Sequence, residues 1–393
     1  MTSTAGPSVS TPTSRLAQFD VARGAVLLGV FVMNYIVFFN IKTLREVSWT
    51  ELDEPGWLRS FLDPQTGPVS TRFAAALATL VGMGVTLLST RVVASNDRGA
   101  ISQLRWRLRR RGTLFVVTGI FFDGAWPGTI LHFTGVYLIL CSFVVTWRRR
   151  WWLVGAAGIC ALTVLQRVVV FQASKDDLAY TSWWGGFRFG SRVPVGTVQG
   201  FITNVTTWGG HPILPWLAFV LVGMTLATFN WNALRTYYLT FGVGVALVAS
   251  GYALQFIGKN VLSEQWRWAA SVDPGPFRRT PPFGLGMPAY VVAAVGSSIA
   301  VIALVAGFAF RFPRFLPFRV LARAGRVTFS LYILHGLIPW LLVALDVDGQ
   351  RHGLVPSVLI GCVSWFVAVV AGALWQRRFT IGPLEWVLRK FGG

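Results

Sequence analysis

The sequence predicts an all-α, polytopic integral membrane protein with about ten transmembrane helices and both termini in the cytoplasm. Three observations carry this prediction. Of 393 residues, 54% are hydrophobic and only 13% are charged, with 18 Trp and 30 Phe. Mean hydropathy is +0.57, and soluble domains carry about twice that charged fraction. The apolar residues gather in runs, most of them near the ~20 residues that a helix needs to cross a ~30 Å hydrocarbon core. The excess of cations then falls at one set of run ends, which is the positive-inside pattern.

Taken in order, residues 1–14 (MTSTAGPSVSTPTS) are small, polar and interrupted by proline, the composition of a disordered cytoplasmic tail. Residues 15–390 read as a single transmembrane domain. Its candidate spans are 20–40, 71–93, 112–126, 129–147, 151–172, 212–229, 236–258, 288–310, 327–345 and 354–376. The first is too long for a signal-peptide core and lacks a small-residue cleavage site. The third is short and is interrupted by Asp123 and Pro127, so with the fourth it could form a broken hairpin.

With the N-terminus inside, the cytoplasmic ends collect 22 cations against three acids, Asp20, Asp97 and Glu385. Seven of those cations are the arginines from Arg91 to Arg111. The other side receives 12 cations and 12 acids. Only Arg167 remains, near a helix end, where its side chain can snorkel. The net charge of +20 is therefore topology and affinity for anionic lipid headgroups, not a nucleic-acid interface. Membrane lipids are the expected partners. Arg outnumbers Lys 31 to four, the mark of a GC-rich coding sequence, and this points to a bacterial plasma membrane.

Three long extracytoplasmic loops, 41–70, 173–211 and 259–287, are rich in Trp, Gly and Pro. They read as an interfacial aromatic belt or as lids and binding loops. Cys141, Cys160 and Cys362 lie in apolar runs without paired spacing, and no two histidines have metal-ligand spacing. The expectation is no disulfide framework and no metal. There is no convincing internal repeat of the kind that builds many transporters.

Ionisable and polar groups inside spans are costly and are candidate functional sites. The first group is Asp20, Arg23 and Asn34, which point within roughly 60° of one another on a helix. Arg23 and Asn34 are separated by roughly 16 Å of rise, about half of the bilayer core. Helix pairing through an ion pair and an amide is the plainer reading of this group.

The second group is in AGRVTFSLYILHGLIPW, where Thr328, Tyr332 and His335 form one stripe. His335 lies roughly 14 Å beyond Arg326, again near the midplane. A neutral imidazole there suits a general base for a hydroxyl nucleophile, or a hydrogen bond to a neighbouring helix. The third group is Asp123 and His132, which flank a Gly/Pro break and could meet as a carboxylate orienting an imidazole. The fourth is His211, at the outer entrance of the sixth span, where it could line a mouth or cap a helix. His352, in a short outer loop, is given no role. On the inner face, QLRWRLRRR (Gln103–Arg111) is either plain positive-inside charge or a set of arginine forks for the phosphates of a cytosolic acyl donor.

These stretches carry a family resemblance. Arg15, Asp20, Arg23, Gly24 and Asn34 make a pattern that resembles the start of the heparan-α-glucosaminide N-acetyltransferase catalytic domain. It equally resembles the start of the YeiB-like proteins, domain-of-unknown-function family 418. PILPWLAFVLVGMTLA (Pro212–Ala227) looks like the mid-chain signature of both, and IGPLEWVLRK (Ile381–Lys390) is similar to the YeiB-like closing motif. AGRVTFSLYILH (Ala324–His335) is similar to that group and to the last motif of acyltransferase family 3.

The resemblance implies a transmembrane acyltransferase that uses cytosolic acetyl-coenzyme A as its acyl-CoA donor. The acceptor it implies is an extracytoplasmic glycan or glycolipid such as a lipid-linked sugar. In the acetyltransferase family a histidine follows the matched asparagine by eleven residues. Here that position is Arg45, followed by Glu46. Either His335, His132 or His211 supplies the base from another helix, or the protein does not acetylate by that route.

The assignment taken from these readings places His335, His132 and Asn34 in catalysis and Asp20 and Arg23 at the donor. The rival readings are a non-catalytic transporter or flippase of a small amphiphile, and a membrane scaffold subunit.

Overall fold

The computed structural model describes residues 16–46, 54–62, 72–126, 129–175, 196–262, 288–345 and 353–393. The expected N-terminal tail, Arg15, Pro127, His352 and most of the three long outer loops lie outside the described residues. So do the side chains of Arg45, Glu46 and Arg167.

Among the described residues the chain is helical throughout. In chain order the helices are α1 (Ala17–Glu46), α2 (Gly56–Leu62), α3 (Arg72–Ala94), α4 (Arg98–Ala125), α5 (Leu131–Val144), α6 (Arg149–Lys175) and α7 (Val198–Thr203). A π-helical turn, Asn204–Trp208, follows α7 directly. Then come α8 (Ile213–Leu226), α9 (Leu234–Val261), α10 (Pro288–Arg311), α11 (Leu316–Gly325), α12 (Thr328–Ala344), α13 (Leu354–Arg378) and α14 (Pro383–Gly392). Five stretches are long and apolar enough to cross a membrane: Ala17–Asn40, Arg72–Ala94, Leu234–Gly258, Pro288–Arg311 and Leu354–Arg378. Leu131–Val144, Ile213–Leu226 and Thr328–Pro339 are apolar but shorter. The protein is a multi-pass membrane protein, all-helical among its described residues.

α1 is the central element. It touches α3, α10, α11, α12 and α13, and 67% of its apolar window is buried, against 22% for α9. Phe19, Ala22, Val26, Leu27, Phe31, Tyr35 and Ile36 are buried on different sides of α1, as expected of a helix apolar all round. By contrast, α9 leaves Tyr238, Leu239, Val243 and Val245 exposed, a face suited to lipid.

Small residues let the helices close on one another, since lipid tails are as apolar as leucine and give no other drive to association. A Cβ on Gly82 of α3 would fall 1.9 Å from the Val220 carbonyl oxygen of α8, and one on Gly223 would fall 1.9 Å from that of Thr79. Gly112 and Gly135 make the same crossing between α4 and α5.

Three expectations need correction. The helix that holds the third apolar run is longer than that run, and Asp123 does not break it. α4 is a continuous helix of 28 residues that joins the basic run to the apolar run, and the Asp97 side chain caps it by accepting from Gly99 N and Ala100 N. The interruption comes only after Ala125. Second, the long loops 41–70 and 173–211 contain short helices, α2 and α7. Third, the basic stretches between and after the last spans hold two further helices for which no span was expected. α11 and α14 are short amphipathic helices with proline in their first turn, where its missing N–H costs nothing. They expose Leu316, Trp386 and Phe391 beside their cations, the composition of helices lying in a membrane interface.

Candidate functional site

The site is built where α1 meets α12. His335 is wholly buried, and its Nε2 lies 2.8 Å from Asn34 Nδ2. Its Nδ1 bonds the carbonyl oxygen of Tyr332 one turn earlier. A carbonyl can only accept, so Nδ1 carries the hydrogen and Nε2 keeps the lone pair. The Asn34 amide therefore donates to Nε2. The imidazole is neutral and oriented, and its basic nitrogen is met by one amide.

The walls are aromatic. Phe31, Tyr332 and Trp126 stand with ring centroids 5.0, 4.6 and 5.4 Å from the imidazole. Pro339 explains another contact. Proline has no N–H, so the His335 carbonyl four residues back loses its helical donor. The buried Tyr35 hydroxyl replaces that donor, giving a hydrogen bond to His335 O at 2.9 Å.

α12 is anchored at its start by the closing motif of the chain. Glu385 accepts from Phe329 N (2.7 Å), Ser330 N (3.1 Å) and the Ser330 hydroxyl (2.5 Å). A carboxylate at a helix N-terminus satisfies orphan N–H groups and favours the dipole. Thr328 donates to Gly325 O at 2.6 Å. The Tyr332 hydroxyl accepts from Ile130 N at 3.0 Å, so the helix that carries His335 also ties down the start of α5.

Two residues further along α5 stands His132. It is buried, and its Nε2 lies 2.9 Å from Asn204 Oδ1 in the π-helical turn. The His211 ring packs 4.4 Å from Trp216, and the Tyr137 hydroxyl donates to the His211 carbonyl. Asp123 is buried in the last turn of α4. His132 and His335 therefore pair with different elements, the π-helical turn and α1.

Asp20 and Arg23 lie at the opposite, basic end of α1. Asp20 Oδ1 is 2.8 Å from Arg23 Nη1, and Oδ2 is 3.6 Å from Arg326 Nε. This carboxylate joins α1 to the α11–α12 turn, where Gly325 lets the backbones touch: a Cβ there would lie 1.8 Å from the Asp20 carbonyl oxygen. Arg23 is partly exposed and also reaches toward Gly84 of α3.

The structure thus brings Asn34 and His335 together and keeps Asp20 with Arg23. Arg23 and Asn34 are separated by roughly 16 Å of helix. Sequence reasoning missed Tyr35, Asn204 and Glu385 as partners. The proline four residues after His335 was the signal for the first. Among the described residues, no group of three His, Cys, Asp or Glu side chains could hold a metal ion.

Two family descriptions match the chain. Heparan-alpha-glucosaminide N-acetyltransferase, catalytic, matches residues 72–266, and a protein family of unknown function, DUF418, matches residues 233–392. Pro212–Ala227 falls in the first match, and Ala324–His335 and Ile381–Lys390 fall in the second. The N-terminal pattern through Asn34 lies before both. The chain is also 24% identical over 413 residues to the uncharacterized protein YeiB of Escherichia coli (strain K12), covering 96% of each chain. No solved structure matches.

Proposed function

We propose, from the premise that the chain belongs to the YeiB-like group joining the DUF418 and heparan-alpha-glucosaminide N-acetyltransferase-like families, that it is a membrane acyltransferase with His335 as general base. The likeness to an acetyltransferase catalytic family supports an acyl-transfer function of the membrane type. The observation that carries the choice of residues is the contact between buried His335 and Asn34.

In this reading the acyl group, acetyl in the first instance, comes from a cytosolic acyl-CoA. Its acceptor is a hydroxyl or amine of an extracytoplasmic glycan or lipid-linked sugar. His335 Nε2 takes the acceptor proton as the acceptor oxygen or nitrogen bonds the thioester carbonyl carbon. The Asn34 amide moves its donor from His335 to the carbonyl oxygen, where negative charge develops. The C–S bond then breaks, and the proton passes from His335 to the leaving thiolate. The Nδ1–H bond to Tyr332 O holds the ring through both steps. His132, beside Asn204, is the substitute base.

The topology that goes with this has ten spans, both termini in the cytoplasm, and residues 15–390 acting as one domain in a bacterial plasma membrane. Asp20 and Arg23 then flank the cytosolic entrance of the donor path. Membrane lipids surround the bundle.

One specific observation favours a second reading, a non-catalytic transporter or flippase of a small amphiphile. The position that holds the acetyltransferase histidine is Arg45 here, and His335 is enclosed by aromatic rings. Purified protein incubated with acetyl-coenzyme A labelled in its acetyl group separates the two readings. Label transferred to a glycan or lipid acceptor, or released by slow thioester hydrolysis, supports the enzyme if His335→Ala abolishes it at normal expression. Turnover unchanged in His335→Ala sinks the residue assignment, and no donor turnover or binding at all leaves the transporter.

A further inference from the structure

α4 carries two faces of arginine with different fates. Arg107 and Arg111 turn toward α14: Arg111 Nη2 donates to Gly393 O at 3.0 Å, and Gly393 lies against Arg107. The other face is open. Arg98, Ser102, Arg105 and Arg109 follow one another at three- and four-residue steps, with Ile101 three residues from Arg98 and four from Arg105, which puts them on one side of the helix. With Trp106 and Thr146 they line a half-open cleft of about 610 Å³. That is the size of a small-ligand site.

The cleft is built for an anion. Three of its seven lining residues are arginines and none is acidic. Arg105 Nη2 donates to Thr146 Oγ1 at 3.1 Å and Arg109 Nε to Ser142 Oγ at 3.1 Å. Each contact uses one of five guanidinium N–H donors, so it fixes the fork while leaving donors to spare. Arg105 Nε is buried without a hydrogen-bond partner among the described residues. Ser102 adds a hydroxyl beside the guanidinium groups, the mixture that recognises phosphate oxygens.

The surroundings of the cleft point to a lipid as the source. Phe143 stands exposed beside it, Trp106 within it, and Trp147 next along the chain from the lining Thr146, and the Arg109 guanidinium sits 4.6 Å over the Phe143 ring. Exposed tryptophans of this kind lie at headgroup level. Thr146, in the turn between α5 and α6, closes the cleft against α4. A soluble anion needs no such apolar rim; a headgroup attached to acyl chains does. We infer that this cleft binds the phosphate of an anionic phospholipid headgroup. The inference does not rest on acyl transfer.

The test uses the full-length protein in discs of phosphatidylcholine with increasing phosphatidylglycerol, reading bound lipid by native mass spectrometry. Phosphatidylglycerol should be retained in preference to phosphatidylcholine. In Arg105→Gln/Arg109→Gln its apparent affinity should fall about tenfold or more, the scale of losing charge-assisted hydrogen bonds. The control Arg110→Gln/Arg148→Gln removes the same charge from positions outside the cleft and should retain the lipid. Equal losses in the two double variants would mean general attraction to a basic surface and overturn the site. Arg98 makes no described hydrogen bond, so Arg98→Gln tests the rim in a protein that keeps its packing. A weakening of a few-fold is expected there, and no change would overturn the assignment. Inorganic pyrophosphate that binds in pure phosphatidylcholine discs, and is lost with Arg105→Gln/Arg109→Gln, would reassign the cleft to a soluble phosphate.

Discussion

Two buried histidines in this protein each face an asparagine amide across less than 3 Å, yet the two pairs are wired in opposite directions. At His335 the Tyr332 carbonyl claims the Nδ1 hydrogen, so Nε2 offers a lone pair and Asn34 is the donor. At His132 the ring meets Asn204 through Oδ1, so Nε2 itself is the donor. The same two residue types therefore present Nε2 as a base in one cluster and as a hydrogen-bond donor in the other. The difference is made by a third group: a backbone carbonyl, one turn back on the same helix, selects the tautomer. Residue identity alone does not designate the base.

The sharpest way to break this comparison is to remove each ring. His335→Ala should lower acyl transfer by about 10²–10⁴-fold, the range for loss of a general base, whereas His132→Ala should retain most activity. Label transfer to acceptor under saturating donor measures both, and the reverse order would exchange the two roles. The asparagines come next. Asn34→Ala should cost about 10²–10³-fold in turnover if its amide serves the developing oxyanion. Asn204→Ala should act on stability and leave turnover near wild type.

Smaller effects test what holds each ring. Tyr35→Phe leaves the His335 carbonyl with no donor and should destabilise the protein by about 1–2 kcal/mol, seen as a lower midpoint of thermal unfolding in detergent. In a Pro339→Ala background the helix regains the missing N–H, so the same substitution should be close to neutral. A full penalty in that background would show that the Tyr35 bond does not compensate for the proline. Smallest is Glu385→Gln, which keeps the shape of the cap on α12 but removes its charge and should cost about 0.5–1 kcal/mol. α5 has no side-chain cap at Ile130 and takes Tyr332 instead, so Tyr332→Phe should loosen α5 by a similar amount.

Much of the bundle was legible because hydropathy over a window of about 20 residues reports a property local to one helix. So was the shared depth of Asn34 and His335, which follows from helical rise counted from two charged ends. α11 and α14 were not legible in that way, since short amphipathic helices average out in such a window. The contacts that give the site its chemistry are of another kind. His335 lies 301 residues from Asn34 and 300 from Tyr35, and His132 lies 72 residues from Asn204. Their pairing depends on how α1 and α12 cross, and on a π-helical turn for which the sequence carries no local signal. The expectation that Asp123 broke the third span failed for a physical reason. One carboxylate in the last turn of a long helix is tolerated when it is buried in protein instead of facing lipid.

The capping of α12 by Glu385 also has a consequence for biosynthesis. Ser330 leaves the ribosome 55 residues before the carboxylate that its amide and hydroxyl require. Until α13 and the α14 segment are made, the first turn of α12 has orphan N–H groups and must keep them in water or headgroups. The helix that carries His335 is therefore completed by a later segment, after its own translation. Stop codons placed between α13 and Glu385 should yield inserted chains in which this helix remains frayed and open to protease at its start.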